Sequence, residues 1–188
     1  MLMKIRTTAF ALALTALLAA CGSPKATPPA FSSQLTMQPA TDFQSILIGN
    51  ASYRLSAAKS YPLIDSWIYN LPHETGKNWT QRVEVQRYKK VNAKEIFEQM
   101  TEATKTQSQQ LDVSTHTVCF VTERNNGQLK EANIWRYADT EKGLTYANGL
   151  LWQFPAGMAF NTFMKGEFPR TCAAMRTQPL ITPPALST

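Results

Sequence analysis

The sequence predicts a single α+β domain, in which a central antiparallel sheet of about six strands carries two packed helices. Strand patterns fall into two consecutive groups, and a helix pattern follows each group. The chain has 188 residues, of which 44% are hydrophobic and 10% are aromatic. This composition is typical of a globular protein with one core and not of a disordered chain.

The first group of strand patterns ends just before residue 90. Residues 43–57 predict one strand, or two short strands bent at Gly49-Asn50, and residues 66–71 predict another. Residues 79–89 alternate with a period of two, which is the pattern of a half-buried strand. We expect one face of this strand to carry Trp79, Gln81, Val83 and Val85.

The clearest helix pattern in the chain begins at residue 93. Its apolar stripe at helical spacing consists of Ala93, Ile96, Phe97 and Met100. Asn92 is followed three residues later by Glu95, which predicts an N-cap with its reciprocal partner. The polar residues 107–110 are interpreted as the exit from this helix.

The second group of strand patterns forms a meander. Residues 115–123 are rich in β-branched and aromatic side chains, and Asn125-Asn126-Gly127 predicts a tight turn before a returning strand over residues 129–137. A further strand is predicted over residues 144–154. We therefore expect three neighbouring antiparallel strands here.

A second helix is predicted after Pro155, from apolar residues at positions 158, 160, 163 and 164. We expect it to end near Lys165-Gly166. A separate short turn would begin at Pro169, because proline is tolerated at a first helical position, and this turn would carry Cys172.

This order of strands and helices is similar to that of the PsbP/Mog1-like sandwich. The resemblance rests on the order of the elements and covers the globular domain. It implies a central antiparallel sheet that is flanked by helices.

The first 21 residues carry the pattern of an export signal. Lys4 and Arg6 precede an uncharged apolar run, which ends in Leu18-Ala19-Ala20-Cys21. These four residues match the lipobox, so the segment resembles the signal peptide of bacterial lipoproteins. The resemblance implies cleavage before Cys21 and lipid on the thiol and the amine of that residue. The alternatives are an ordinary signal peptide cleaved near Ala20 and an uncleaved anchor, for which the run is short.

The residues after the lipobox predict where the protein is located and how the chain divides into segments. In the lipoprotein class, Asp after the lipidated cysteine favours the inner membrane, whereas this chain has Gly22-Ser23, which implies the periplasmic face of the outer membrane of a Gram-negative cell. We expect a signal peptide over residues 1–20 and a lipidated, Pro-rich tether over residues 21–42. One α+β domain would occupy residues 43–177, and residues 178–188 would form a loose tail.

The charge of the chain disfavours nucleic acid as a partner. Lys4 and Arg6 would leave with the signal peptide, which lowers the formal charge from +6 to +4. The remaining basic residues form no dense run or stripe, and the protein is expected to be exported.

The cysteines left after lipidation, Cys119 and Cys172, predict a disulfide, because the compartment outside the inner membrane is oxidising. Free buried thiols are the alternative, and a catalytic cysteine is disfavoured. His116 and Cys119 are three residues apart on a predicted strand, so their side chains would point to opposite faces.

The sequence predicts no catalytic site, no metal and no cofactor. His73 and His116 are interpreted as surface or edge residues, since no spacing of ligands suits a metal. The acidic residues look like scattered surface groups from which no catalytic pair can be selected. They are Glu84, Glu98, Glu102, Asp112, Glu123 and Glu131.

The four tryptophans lie in predicted strands and are interpreted as core residues that pack between the sheet and the helices. They are Trp67, Trp79, Trp135 and Trp152. On an outer face, the same residues beside arginines would instead indicate a binding surface. Those arginines are Arg82, Arg87, Arg124 and Arg136.

These observations favour a non-enzymatic accessory protein of the cell envelope, such as an assembly or secretion factor. Its expected partners are membrane lipid, through acylated Cys21, and another envelope protein. One alternative is a periplasmic inhibitor or chaperone of a soluble protein, although a charge of +4 is the wrong sign for binding a strongly basic enzyme. The other, less favoured alternative is a hydrolase of envelope substrates.

Overall fold

The computed structural model describes residues 35–107, 109–114 and 116–186. It has nine strands and two helices in those ranges. In chain order they are β1 (Met37–Pro39), β2 (Ser45–Ile48), β3 (Ala51–Ser60), β4 (Ile64–Asn70), β5 (Gln81–Tyr88), α1 (Ala93–Gln107), β6 (Gln109–Ser114), β7 (Thr117–Arg124), β8 (Leu129–Asp139), β9 (Thr145–Pro155) and α2 (Met158–Met175).

All nine strands belong to one antiparallel sheet, in the order β1-β2-β3-β4-β5-β9-β8-β7-β6. The α+β class is therefore as predicted, but the expected number of about six strands is wrong. Residues 43–57 form two strands, joined at Gly49-Asn50. The short β1 and β6 account for the other additions, because they lie where Pro-rich or polar composition gave no strand pattern.

The predicted meander is confirmed, since β7 pairs with β8 and β8 pairs with β9. The far side of β9 pairs with β5, which joins the two groups of strands into one sheet. Of the eleven residues of β9, nine are buried, so this strand lies at the centre of the fold.

The sheet has two covered faces, and the side chains of β7 show the division. Val118 and Phe120 belong to the core under α1, whereas Cys119 and Val121 belong to the core under α2. The alternation follows from the period of two in a strand. Each helix therefore covers its own face of the strands β7, β8 and β9.

Helix α1 begins with the predicted capping arrangement. The Asn92 side-chain oxygen accepts from the Glu95 backbone N–H at 2.9 Å, and the Glu95 carboxylate accepts from the Asn92 N–H at 3.2 Å. Asp139 at the end of β8 accepts a third bond, from the Ala93 N–H at 3.0 Å. These contacts fix the start of α1 against the sheet.

Helix α2 is continuous over Met158–Met175, with Pro169 in its interior. The expected end near Lys165-Gly166 and the separate turn at Pro169 are therefore wrong. Proline removes one helical hydrogen bond, but residues on both sides of it are buried against the sheet. They are Phe163, Phe168, Cys172 and Met175. The packing of these residues against the sheet thus keeps α2 helical on both sides of Pro169.

The sheet curves strongly around the face that α2 covers, as the contacts of Gln178 show. Its side chain binds the backbone of Leu35, just before β1, and of Met37, the first residue of β1. Its carbonyl accepts from Arg136 of β8. In a flat sheet, β1 and β8 would lie about 29 Å apart, at six strand spacings of about 4.8 Å. One glutamine can reach both strands only if the sheet bends.

The folded unit also extends beyond both expected boundaries. Leu35 and Met37 are buried, so the structured domain includes residues that we assigned to the tether. Ile181 is buried and exchanges two hydrogen bonds with Asn148 of β9, of 2.7 and 3.1 Å. Residues 178–186 therefore pack on the sheet, and the expectation of a loose tail is wrong for this segment.

Candidate functional site

Cys119 of β7 and Cys172 of α2 are brought together in the core. Their Cα atoms are 6.3 Å apart, within the range of disulfide-bonded pairs, and their sulfur atoms are in bonding contact. Formation of the bond in the cell stays a prediction. The predicted lipidation site, Cys21, lies outside the described residues.

The two histidines are placed apart from this pair. His116 is exposed in the turn before β7, with its ring centroid 5.2 Å from that of Phe97 on the α1 side. Cys119 faces α2, so the opposite orientation of His116 and Cys119 is confirmed. His73 occupies another exposed turn. Within the described ranges, no three His, Cys, Asp or Glu side chains converge as metal ligands do.

All four tryptophans are buried, with exposed fractions between 0% and 7%. Their interpretation as core residues is confirmed, and they cannot form an outer binding surface. Trp67 and Trp152 lie under α2, whereas Trp79 and Trp135 lie under α1. Trp79 was expected to share a face with Gln81, but it precedes β5 and packs on the other side of the sheet.

Two of the carboxylates interpreted as surface groups are buried, so that interpretation is wrong for Glu84 and Glu131. Each pairs with an arginine: Glu84 with Arg82 at 2.6 Å, and Glu131 with Arg124 at 3.2 Å. Burial raises the pKa of Glu84, Arg82 opposes this rise, and Glu131 adds to it. The arginines thus compensate two acidic side chains on the α1 side of the sheet.

A second buried ion cluster lies across β3, β4 and β5, and its centre is Asp65. Asp65 is fully buried, with Ser60 and Arg87 directly opposite it on the neighbouring strands. Its carboxylate contacts Arg87 at 2.6 Å, Lys89 at 2.8 Å and the Ser60 hydroxyl at 2.7 Å. One carboxylate faces two cations, so the cluster keeps one positive charge at this end of the sheet.

An apolar groove lies between α2 and the strands β6 and β7, with a volume of about 430 Å³. Cys119 and Cys172 contribute to its wall, next to the aromatic and aliphatic side chains of α2. We call this site the α2 groove, and its lining residues are Asp112, Cys119, Val121, Phe160, Met164, Phe168, Pro169 and Cys172. The carboxylate of Asp112 pairs with Arg176, which adds a charged pair beside the apolar surface.

The edge of the sheet runs beside this groove. Within the part of the chain that the structure describes, β6 pairs with β7 alone, so its other side offers backbone groups for pairing. A bulge between Gln110 and Asp112 interrupts the register, and regular pairing with β7 resumes from Asp112 to Ser114. An apolar groove and an open strand edge are therefore adjacent.

Part of this site was predictable from the sequence. Phe160 and Met164 were recognised as apolar helix residues, and their spacing of four places them on one face. The strand β6 was missed, because a polar segment resembled the exit from α1. Asp65 was missed as well, since a single aspartate in a strand pattern does not reveal the strands on either side of it.

None of the helices in the described ranges has the length and apolar character needed to cross a membrane. Comparison with known proteins gave no matching family model, no matching curated protein and no matching solved structure.

Proposed function

We propose that this chain is a lipid-anchored accessory protein of the bacterial envelope, and that its α2 groove binds an apolar, extended segment of another envelope protein. Cys21 would carry the lipid, and Gly22-Ser23 would direct the protein to the periplasmic face of the outer membrane. The class of function is an assembly or secretion factor without catalysis of its own.

The observation that carries the binding proposal is the α2 groove beside an open strand edge. Its volume of about 430 Å³ lies within the range of ligand pockets, about 300–1,000 Å³. Phe160 and Met164, which are both partly exposed, offer apolar contact area, which is the main source of affinity in the centre of an interface. Apolar side chains of a partner would fit this lining.

The open side of β6 favours an extended partner over a helical one. A strand that pairs with Asp112 and Val113 would direct alternate side chains toward the α2 side of the sheet. Its backbone would supply hydrogen bonds and its apolar side chains would enter the groove. The Asp112–Arg176 ion pair at the rim of the α2 groove would favour polar residues at the facing positions of the partner.

The anchoring proposal is supported by the lipobox and by the burial of Leu35, which belongs to the folded domain. Residues 22–34 lie between Cys21 and Leu35. If fully extended, a chain of that length spans about 40 Å. A domain on such a connection stays near the membrane and can still meet a partner in the periplasm.

Site-specific photo-crosslinking in intact cells tests the groove. A crosslinking residue in place of Met164 should give one discrete adduct with an envelope protein, and Phe160→Asp should abolish it. The matched control is the same crosslinker in place of Glu98, whose side chain is 62% exposed on α1, and it should give none. Equal adducts at both positions, or none at Met164, would overturn the proposal. A soluble periplasmic protein in the adduct would instead indicate an inhibitor or chaperone.

A further inference from the structure

The turn between β3 and β4 exposes an apolar surface at one end of the sheet. Tyr61 is 51% exposed and Leu63 is 56% exposed, and Pro62 lies exposed between them. A shallow depression of about 350 Å³ continues this surface onto Ile64. Large apolar side chains at the tip of a turn are poorly placed to stabilise the domain itself, since they contact little of its core.

The turn is held in a defined shape. The Tyr61 N–H donates to the Ile64 carbonyl at 2.8 Å, and the Lys89 N–H donates to the Leu63 carbonyl at 3.0 Å. The ammonium group of Lys89 donates to the Tyr61 carbonyl at 2.7 Å and to Ser60 Oγ at 2.9 Å. The exposed apolar tip is therefore presented on a rigid support, which lowers the entropic cost of binding.

The exposed charged residues next to the turn and at the end of β5 are basic. Lys59 precedes the turn and Lys90 follows β5, and both residues are exposed. Asp65, the one acidic residue in β3 and β4, is fully buried and engaged by Arg87 and Lys89. The negative charge of Asp65 is therefore buried, whereas the positive charges of Lys59 and Lys90 are exposed.

We propose that this turn is a membrane contact that inserts Tyr61 and Leu63 into the interface of an anionic lipid bilayer. Tyrosine suits the interface because it combines an apolar ring with a polar hydroxyl. Lysines beside an inserted apolar tip are attracted to anionic head groups near the membrane surface. The contact goes beyond the proposed lipid anchor, because it depends on residues of the folded domain and not on Cys21.

Vesicle flotation with a chain that lacks the lipid separates this inference from the anchor. Cys21→Ser, exported through a signal peptide that is cleaved without acylation, should float with phosphatidylethanolamine vesicles that contain phosphatidylglycerol. The additional changes Tyr61→Ser and Leu63→Ser together should weaken this binding about tenfold. Lys59→Gln with Lys90→Gln should remove the preference for phosphatidylglycerol.

The matched control changes two exposed apolar residues elsewhere, Leu47→Ser and Met158→Ser, which are 42% and 83% exposed. This control should bind vesicles within about twofold of the parent, which here is the Cys21→Ser chain. All variants should keep the melting temperature of that parent, because none of the changed residues is buried. Failure of the parent to float, or equal losses in the control, would overturn the inference. Either result would leave the acylation of Cys21 to be decided by its own measurement.

Discussion

Asp65 is the residue on which the end of the sheet near the β3–β4 turn depends. It holds Arg87 and Lys89 at 2.6 and 2.8 Å, and Lys89 in turn binds the backbone of the turn. Burial alone would raise the pKa of Asp65, but hydrogen bonds from Lys89 and Ser60, together with the nearby charges, outweigh it and lower that pKa. The ionised form is thus the one that the fold stabilises.

We expect Asp65→Asn to lower the free energy of unfolding at pH 7 by about 3 kcal/mol, because it leaves two cations without their carboxylate. The folded-state pKa lies below the unfolded value of about 4, so this stabilisation is complete above pH 4 and is lost as the pH falls through the folded value. The difference in the free energy of unfolding between Asp65→Asn and the unchanged chain, measured with urea, should therefore become smaller as the solution becomes acidic. A constant difference at all pH values would contradict this account, and Glu141→Gln serves as an exposed control.

Gly149 shows how closely the centre of the sheet is packed. A Cβ atom at this position would lie 2.9 Å from three ring atoms of Trp135, which is itself buried. We expect Gly149→Ala to lower the melting temperature and to cost about 2 kcal/mol, because the tryptophan must move. Gly76→Ala, with open space at its Cβ, should be neutral in the same calorimetric scan. Equal effects of the two changes would contradict the packing described for β9.

Elements with strong local patterns were predictable from the sequence, and those that depend on distant contacts were not. Helix α1 has an apolar stripe and its own cap, so its start at Ala93 followed from nearby residues. Strand β6 has no such pattern and exists through its pairing with β7. Helix α2 continues through Pro169 because residues beyond it pack on the sheet. The sequence around Pro169 does not show that these residues pack on the sheet.

The Cys119–Cys172 pair, which would join β7 to α2, leads to a prediction about stability toward urea. The Cys119–Cys172 bond would close a loop with a sequence separation of 53 residues, which corresponds to about 4 kcal/mol in the chain-entropy model. Dithiothreitol should therefore lower the urea midpoint of the parent chain, and the double variant Cys119→Ser, Cys172→Ser should not respond to it. A parent chain that is insensitive to the reductant would show that the two thiols are free.

At the scale of the whole molecule, the curvature of the sheet joins the two ends of the described chain. Gln178 links the backbone near β1 to Arg136 of β8, and Ile181 continues across β9 through Asn148. Proline and small residues made both segments resemble loose linkers in the sequence. Their burial depends on the surface of a sheet in which five strands lie between β1 and β8, so composition alone could not place them.

The molecule as a whole is proposed to be held at the membrane by Cys21, with its α2 groove and its β3–β4 turn on the folded domain. The most direct test is the intact mass of the mature protein extracted from cell membranes. The account predicts a chain that begins at Cys21, with a diacylglyceryl group on the Cys21 sulfur and an acylated amine. A mature chain that begins elsewhere, or one that begins at Cys21 with an unmodified thiol, would contradict it.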